Sequence, residues 1–119
     1  QYYWDKFGFE TVSIRIGSCF PKPVDRRMLT TWLSYPDFTH QIERCLIAPR
    51  DAHTVIYGVS DNNTKLWNNH MAAHNGFRPK DNAEDYRAEV EAATAELDPN
   101  DIVISRHGGG FAKAGHFED

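Results

Sequence analysis

The sequence predicts an α/β fold, a parallel or mixed sheet flanked by helices, and three observations lead there. Residues 11–16 (Thr-Val-Ser-Ile-Arg-Ile) and 54–59 (Thr-Val-Ile-Tyr-Gly-Val) are β-branched runs of the kind strands favour. Stretches with helical spacing lie before, between and after them. The 119 residues are 40% hydrophobic and 25% charged, the balance of an ordinary globular domain.

In chain order, residues 2–8 read as the last turns of a helix, with Tyr3 and Phe7 on one face and Gly8 placed as a left-handed cap. Gly17 ends the first strand. Residues 18–33 carry two prolines, the cluster Asp25-Arg26-Arg27 and no sustained period, so they predict a long loop with one helical turn, a kind of loop that is often functional. Asp37 reads as the N-cap of a helix whose apolar face is Phe38, Ile42, Cys45 and Leu46, ending before Pro49. After the second strand, Thr64 caps a helix carrying Trp67, Met71 and His74 and ending at Asn75-Gly76. Residues 83–97, rich in Ala and Glu, predict a further helix. A weak strand at 102–104 and a Gly-rich tail follow.

Two strands alone leave both edges of a sheet bare. Strands of α/β sheets are normally extended by neighbours and covered on both faces, so the remaining strands are expected in a preceding N-terminal segment. The chain opens at Gln1 and runs at once into Tyr2-Tyr3-Trp4, which supports the same expectation: the C-terminal, substrate-side part of a larger enzyme, assembling with its missing half or with another copy of itself.

The formal net charge of −4 gives no basic footprint for nucleic acid and a slight repulsion from an acidic membrane surface. No apolar run approaches the roughly 20 residues of a membrane span, and no signal-peptide pattern is present. The expectation is a cytoplasmic protein with no nucleic-acid and no membrane partner. Cys19 and Cys45 lack the paired spacing of a redox or zinc motif and read as buried free thiols.

Several motifs have a bland reading beside a chemical one. Tyr2 and Lys6 have the Tyr-x-x-x-Lys spacing of short-chain dehydrogenases, yet they sit at the end of their helix, where they read as helix surface. His107-Gly108-Gly109-Gly110 is similar to a lipase oxyanion loop, but there is no Gly-x-Ser-x-Gly elbow to go with it, so it reads as a flexible turn. His70 and His74 have zinc-helix spacing without the Glu or a third ligand, and no metal is expected. Asn62-Asn63-Thr64 is a glycosylation sequon that matters only in a secreted protein.

The segment from Arg15-Ile16-Gly17-Ser18-Cys19-Phe20 to Asp25-Arg26-Arg27-Met28 lies just past the carboxyl end of a strand, where open α/β sheets bind ligands. A serine hydroxyl beside guanidinium groups suits a polyhydroxy acid, since Arg holds a carboxylate with two parallel hydrogen bonds and Ser both donates and accepts. On residue chemistry alone, a surface loop with solvated arginines accounts for it better.

Tyr-Tyr-Trp-Asp-Lys-Phe-Gly, Arg-Ile-Gly-Ser-Cys-Phe-Pro-Lys-Pro, Arg-Met-Leu-Thr-Thr-Trp-Leu-Ser, Val-Ile-Tyr-Gly-Val-Ser and Trp-Asn-Asn together resemble the C-terminal portion of uronate dehydrogenases, extended short-chain dehydrogenases/reductases of the NAD-dependent epimerase/dehydratase group. The resemblance covers essentially the whole chain. It implies the C-terminal part of a Rossmann-type fold, with residues 1–119 as the substrate side of a single domain whose dinucleotide-binding part is absent. It further implies oxidation of C1 of a hexuronate such as galacturonate or glucuronate with NAD, releasing an aldarolactone. Carried over residue by residue, Ser18 contacts the substrate, Arg27 holds its carboxylate, and Ile16 and Cys19 line the nicotinamide. Lys22, Arg26 and Trp32 carry no assigned role, and Arg26 is expected to be a solvated loop residue. The family's Gly-rich loop and catalytic Ser, Tyr and Lys all fall before Gln1, so no catalytic residue is expected here. The alternatives are another sugar epimerase or dehydratase of the same group, or a non-catalytic binding module.

Overall fold

The computed structural model describes residues 1–49, 52–106 and 108–115. Both β-branched runs are strands. β1 (Thr11–Ile16) and β4 (His53–Gly58) pair in parallel, Thr11 opposite His53 and Ile16 opposite Gly58. Helix α1 (Tyr2–Phe7) precedes them and closes on Gly8 in the left-handed conformation, φ 68°, as the sequence predicted. Among the described residues nothing pairs with the other edge of β1.

Between the two strands the chain does more than loop. β2 (Ser18–Cys19) lies parallel to β3 (Trp32–Leu33), and helix α2 (Met28–Thr31) is the helical turn the sequence implied. The bridge escaped notice because two-residue strands carry no periodicity. Helix α3 spans Tyr35–Ile47, and its cap is Ser34, not Asp37: the Ser34 hydroxyl accepts from the Asp37 N–H at 3.1 Å. Asp37 is buried inside the first turn and accepts from the N–H groups of Lys80 and Asp81 at 2.9 and 3.1 Å. The expected apolar face is also corrected. Leu46 is 80% exposed, and α3 docks partly through the buried Gln41, which donates to the Tyr57 carbonyl at 2.8 Å.

The helix expected from Thr64 is reduced to α4 (His70–His74), because the residues ahead of it are held against β4. Asn69 accepts from the Tyr57 N–H at 2.9 Å and donates to its carbonyl at 2.7 Å, and Trp67 stacks on the Tyr57 ring at 5.1 Å between centroids. One amide side chain thus satisfies a peptide unit on the open edge of β4, where a neighbouring strand would otherwise pair. The single helix expected over 83–97 is a 3₁₀ turn (Ala83–Tyr86), capped by Asn82, leading into α5 (Arg87–Ala93). The strand expected at 102–104 is instead helix α6 (Ile102–Ser105), because the Asp101 carboxylate accepts from the Val103 N–H at 2.9 Å and a helix cap outweighs the β preference of three residues. A 3₁₀ turn (Gly109–Ala112) follows.

Two small apolar clusters hold these pieces. Met28, Leu29, Trp32, Ala83 and Val90 form one, with Tyr86 against it. Ile56, Ala72 and Phe77 form the other, with Val12, Ile14 and Cys45 around it. The radius of gyration is 16.4 Å and the shortest dimension 22 Å, a flat slab where a compact chain of this length would measure about 13–14 Å.

Polar side chains join the parts. Asn62, 1% exposed, donates to the Trp32 carbonyl and accepts from the Ala83 N–H, each at 3.0 Å. In the folded chain the Asn62 amide is committed and inaccessible, whatever its sequon suggests. Replacing Asn62 by Ala strands the buried Ala83 donor and leaves a void, so Asn62→Ala should lower unfolding free energy by about 2–3 kcal/mol in a urea titration. A loss below about 0.5 kcal/mol would mean that water or a backbone shift replaces both bonds.

Candidate functional site

A cavity of about 1040 Å³ opens beyond the carboxyl ends of β1 and β4, where parallel sheets present their ligands. Its volume is at the top of the range of small-molecule sites, ~300–1000 Å³. Ile16, Ser18, Cys19 and Arg27, the four residues brought forward by the resemblance, all line it.

Backbone contact sets their positions. Gly17 carries the β1 ladder one step further, its N–H donating to the Gly58 carbonyl at 2.9 Å. At this corner it passes so close to α2 that a Cβ on Gly17 would sit 2.1 Å from the Thr31 carbonyl oxygen, so no other residue fits. The next residue, Ser18, is thereby brought against Thr31, with their hydroxyl oxygens 3.0 Å apart. Ser18 is 9% exposed and Thr31 fully buried.

Arg27 sits at the start of α2, and its carbonyl accepts from the Thr30 and Thr31 hydroxyls at 2.9 and 3.3 Å. Its guanidinium lies against Gly109, where a Cβ would meet Cζ at 2.9 Å. Gly109 is buried at φ 54°, a conformation that disfavours side chains as well. The Gly-rich stretch read as a flexible turn therefore backs the Arg27 side chain; three successive glycines were the available signal. His107 lies outside the described residues.

The rest of the lining is largely apolar. Tyr57 and Trp67 form one wall, and the C-terminal segment contributes Val103, Ile104 and Phe111. Ile16 is 47% exposed at the end of β1. Burial pushes the Cys19 thiol up from its ordinary value, so it stays uncharged at neutral pH. Arg15, Asp25 and Arg27 are the charged members of the lining, and Asp25 accepts from the Met28 N–H at 2.8 Å.

Of the three residues without an assigned role, Trp32 and Arg26 hold structure together. Trp32 is buried and its indole donates to the Phe20 carbonyl at 2.8 Å. Lys22 pairs with Glu89 at the surface. Arg26 is not a solvated loop residue: it donates to the Glu91 carbonyl at 3.1 Å and to the Thr94 carbonyl at 3.2 and 3.3 Å, tying the loop to the carboxyl end of α5. Sequence reasoning missed this because the carbonyls lie more than 60 residues away. Elsewhere, Lys6 donates to the Tyr2 hydroxyl at 2.9 Å on an exposed face of α1, and neither residue lines the cavity. Among the described residues no group of three or more His, Cys, Asp or Glu side chains could hold a metal ion, and no helix is long and apolar enough to cross a membrane.

Uronate dehydrogenases are homologues of the chain. It is 53% identical, over 98% of its length, to uronate dehydrogenase of Pseudomonas putida, and covers 43% of that protein. Its structure superposes on glucuronic acid dehydrogenase of Chromohalobacter salexigens with a TM-score of 0.90 at 46% identity, over 96% of this chain and 43% of that one. A mutant of the Agrobacterium tumefaciens uronate dehydrogenase complexed with NAD gives 0.92 at 42% identity, over 99% of this chain and 44% of that one. The chain thus spans less than half the length of the relatives it matches, and no family model matches it. The α/β architecture is that of the corresponding part of these Rossmann-type enzymes.

Two outcomes follow from the geometry. Arg26→Ala removes the donor from carbonyls at a helix end and should cost about 1–2 kcal/mol of unfolding free energy; Arg26→Lys should restore part of it. A cost near zero in thermal unfolding would return Arg26 to the solvated class. The second concerns acid. The Val103 N–H, and after it the Lys113 ammonium at 3.2 Å, hold the Asp101 carboxyl below its ordinary value. A group depressed in the folded state stabilises above its unfolded pKa of about 3.9, and that contribution fades as pH falls through the lower folded value. Protection factors in residues 102–106 and 108–112, taken against the intrinsic exchange rate at each pH, should therefore fall below about pH 4, more than in β1 and β4, and Asp101→Asn should flatten the difference.

Proposed function

We propose that this chain, similar along its whole length to uronate dehydrogenases, forms the substrate side of an NAD-dependent enzyme that oxidises C1 of a hexuronic acid, such as galacturonate or glucuronate, to an aldarolactone. The observation that carries this reading is the presence of the Ser18 hydroxyl and the Arg27 side chain in one cavity beyond the parallel strands. A uronate offers one carboxylate and several hydroxyls. Arg27 supplies the planar fork that a carboxylate takes with two hydrogen bonds, and Arg15 adds positive charge to a chain that is negative overall. Ser18 supplies the contact to a sugar hydroxyl.

We assign Ile16 and Cys19 to the nicotinamide face. An exposed aliphatic side chain and an uncharged thiol suit a flat aromatic ring, and a thiolate there would present a nucleophile to it. NAD, when bound, supplies the acceptor for the hydride leaving C1. The C1 hydroxyl proton must go to a base, and C1 then becomes the lactone carbonyl. We assign that base and the dinucleotide cradle to a segment outside these 119 residues, because no Gly-x-Gly-x-x-Gly occurs within them and neither Tyr2 nor Lys6 lines the cavity. The role of this chain is to hold the uronate in one orientation, which makes the reaction effectively unimolecular.

The test uses the complete dehydrogenase that contains this chain. Arg27→Ala should cost about 2–4 kcal/mol in kcat/KM for galacturonate. Arg27→Lys should recover part of it, because an ammonium cannot reproduce the two-bond fork. NAD affinity should hold in both variants. Unchanged kcat/KM in Arg27→Ala would remove the carboxylate role, and protection of the protein by a nucleotide sugar, with none by free uronate, would favour an epimerase or dehydratase.

A further inference from the structure

Thr31 is fully buried in α2, does not line the cavity, and touches both residues assigned to the substrate, Ser18 through its hydroxyl and Arg27 through its backbone carbonyl. Its hydroxyl oxygen lies 3.0 Å from that of Ser18 and 3.3 Å from the Arg27 carbonyl oxygen. A hydroxyl has one hydrogen to give and two lone pairs to receive with, whereas a carbonyl can only receive. The Arg27 carbonyl also accepts the Thr30 N–H and hydroxyl at 3.1 and 2.9 Å, and the Thr31 hydrogen is placed on that shared acceptor. The opposite arrangement would aim an oxygen lone pair at a carbonyl oxygen in a buried place, where an unmatched polar contact is costly. With its hydrogen spent, Thr31 can only accept from Ser18, so Ser18 must donate inward. What Ser18 has left for the cavity is lone pairs. The close passage of Gly17 over the Thr31 carbonyl, which leaves no room even for a Cβ, fixes the relative position of the two hydroxyls.

We propose that Thr31 is a positioning residue that sets Ser18 as a hydrogen-bond acceptor toward the cavity, so that this position selects a substrate group that donates, a sugar hydroxyl. This rests on the uronate reading of the site and deepens it. The two substrate contacts become opposite in kind: Arg27 can only donate and takes the carboxylate, while Ser18 can only accept and takes a hydroxyl. A uronate turned so that its carboxylate met Ser18 would place acceptor against acceptor. Through Arg27's backbone and Ser18's side chain, Thr31 couples the two ends of that choice.

The experiment measures KM and kcat of the complete dehydrogenase for galacturonate and for galacturonates carrying fluorine in place of one non-reacting hydroxyl at a time. Fluorine removes the donor and leaves only a weak acceptor. One analogue should show a KM raised roughly five- to tenfold, the worth of one neutral hydrogen bond, with kcat changed less. Thr31→Val frees the Ser18 hydroxyl to turn and donate, and should shrink that penalty to within about twofold. Thr31→Ser, which keeps the hydroxyl, should retain it, and Ser18→Ala should abolish it. A role confined to packing predicts the same penalty in Thr31→Val as in the unsubstituted enzyme, and that result would overturn the proposal. If Thr31→Val does not fold, neutron diffraction from the unsubstituted protein decides: deuterium on the Thr31 hydroxyl pointing at Arg27 supports it, and deuterium pointing at Ser18 refutes it. Uronate turnover with no analogue penalised refutes the proposal alone. No uronate turnover by the unsubstituted enzyme refutes the functional reading and the proposal together.

Discussion

The site depends on one backbone approach, the corner at Gly17. The β1 ladder ends there with the bond to Gly58, and the same residue presses against the Thr31 carbonyl at a distance no side chain would permit. Those two contacts lock the end of the sheet to the end of α2. Ser18 follows in sequence on one side and Arg27 lies one helical turn back on the other, so the two reach a common cavity by short covalent paths from a rigid joint. Sites built on such joints keep their geometry better than sites on free loops.

The surrounding fold relies heavily on directed polar contacts. Each apolar cluster has only a handful of buried members. Between them Ser34, Ser60, Asn62 and Asp37 are almost wholly buried and bonded: the Trp32 carbonyl receives both the Ser60 N–H at 2.9 Å and the Asn62 amide at 3.0 Å, and the Ser34 N–H donates to the Ser60 hydroxyl at 3.0 Å. Such a network adds little net stability while every member is satisfied and costs much when one is lost. What it supplies is a single register between β3, the end of β4 and residues 80–83.

Legibility in the sequence followed the range of the forces involved. β1, β4 and the Gly8 cap were readable because a β-branched run and a glycine after a short aromatic helix are local signals. The 102–104 stretch was misread for the converse reason: Ile102, Val103 and Ile104 favour a strand locally, but Asp101 closes a helical turn that needs only one bond. At α3 two acceptable caps, Ser34 and Asp37, lie three residues apart, and what separates them is the appointment of Asp37 to backbone groups at 80 and 81, over 40 positions away. The shortfall of α4 has the same origin, since Asn69 spends its amide on Tyr57. As for the site, strand-end position singled out the 15–28 segment, residue chemistry alone favoured a solvated loop there, and the resemblance brought Ser18 and Arg27 forward; three successive glycines hinted at Gly109, while Thr31 could not be read, since its contacts exist only once the chain has folded.

The neighbouring arginines show how such contacts divide labour within one dipeptide. Arg26 and Arg27 are indistinguishable in charge and adjacent in sequence, yet Arg26 is spent on carbonyls at the end of α5 while Arg27 lines the cavity. Successive residues at the entry to a helical turn point in different directions, so one can anchor only if the other faces away. The anchor matters to its neighbour. In the proposed role, a guanidinium that meets a carboxylate in a two-bond geometry would lose much of its advantage if its backbone wandered. Arg26 fastens that backbone from one side, the Thr30 and Thr31 hydroxyls hold its carbonyl from another, and Gly109 limits the side chain itself. Three restraints from three segments converge on Arg27, whereas Ser18 needs only Thr31 and the corner beside it. The longer and more mobile side chain carries the larger share of the supporting structure, as the entropy of ordering it requires.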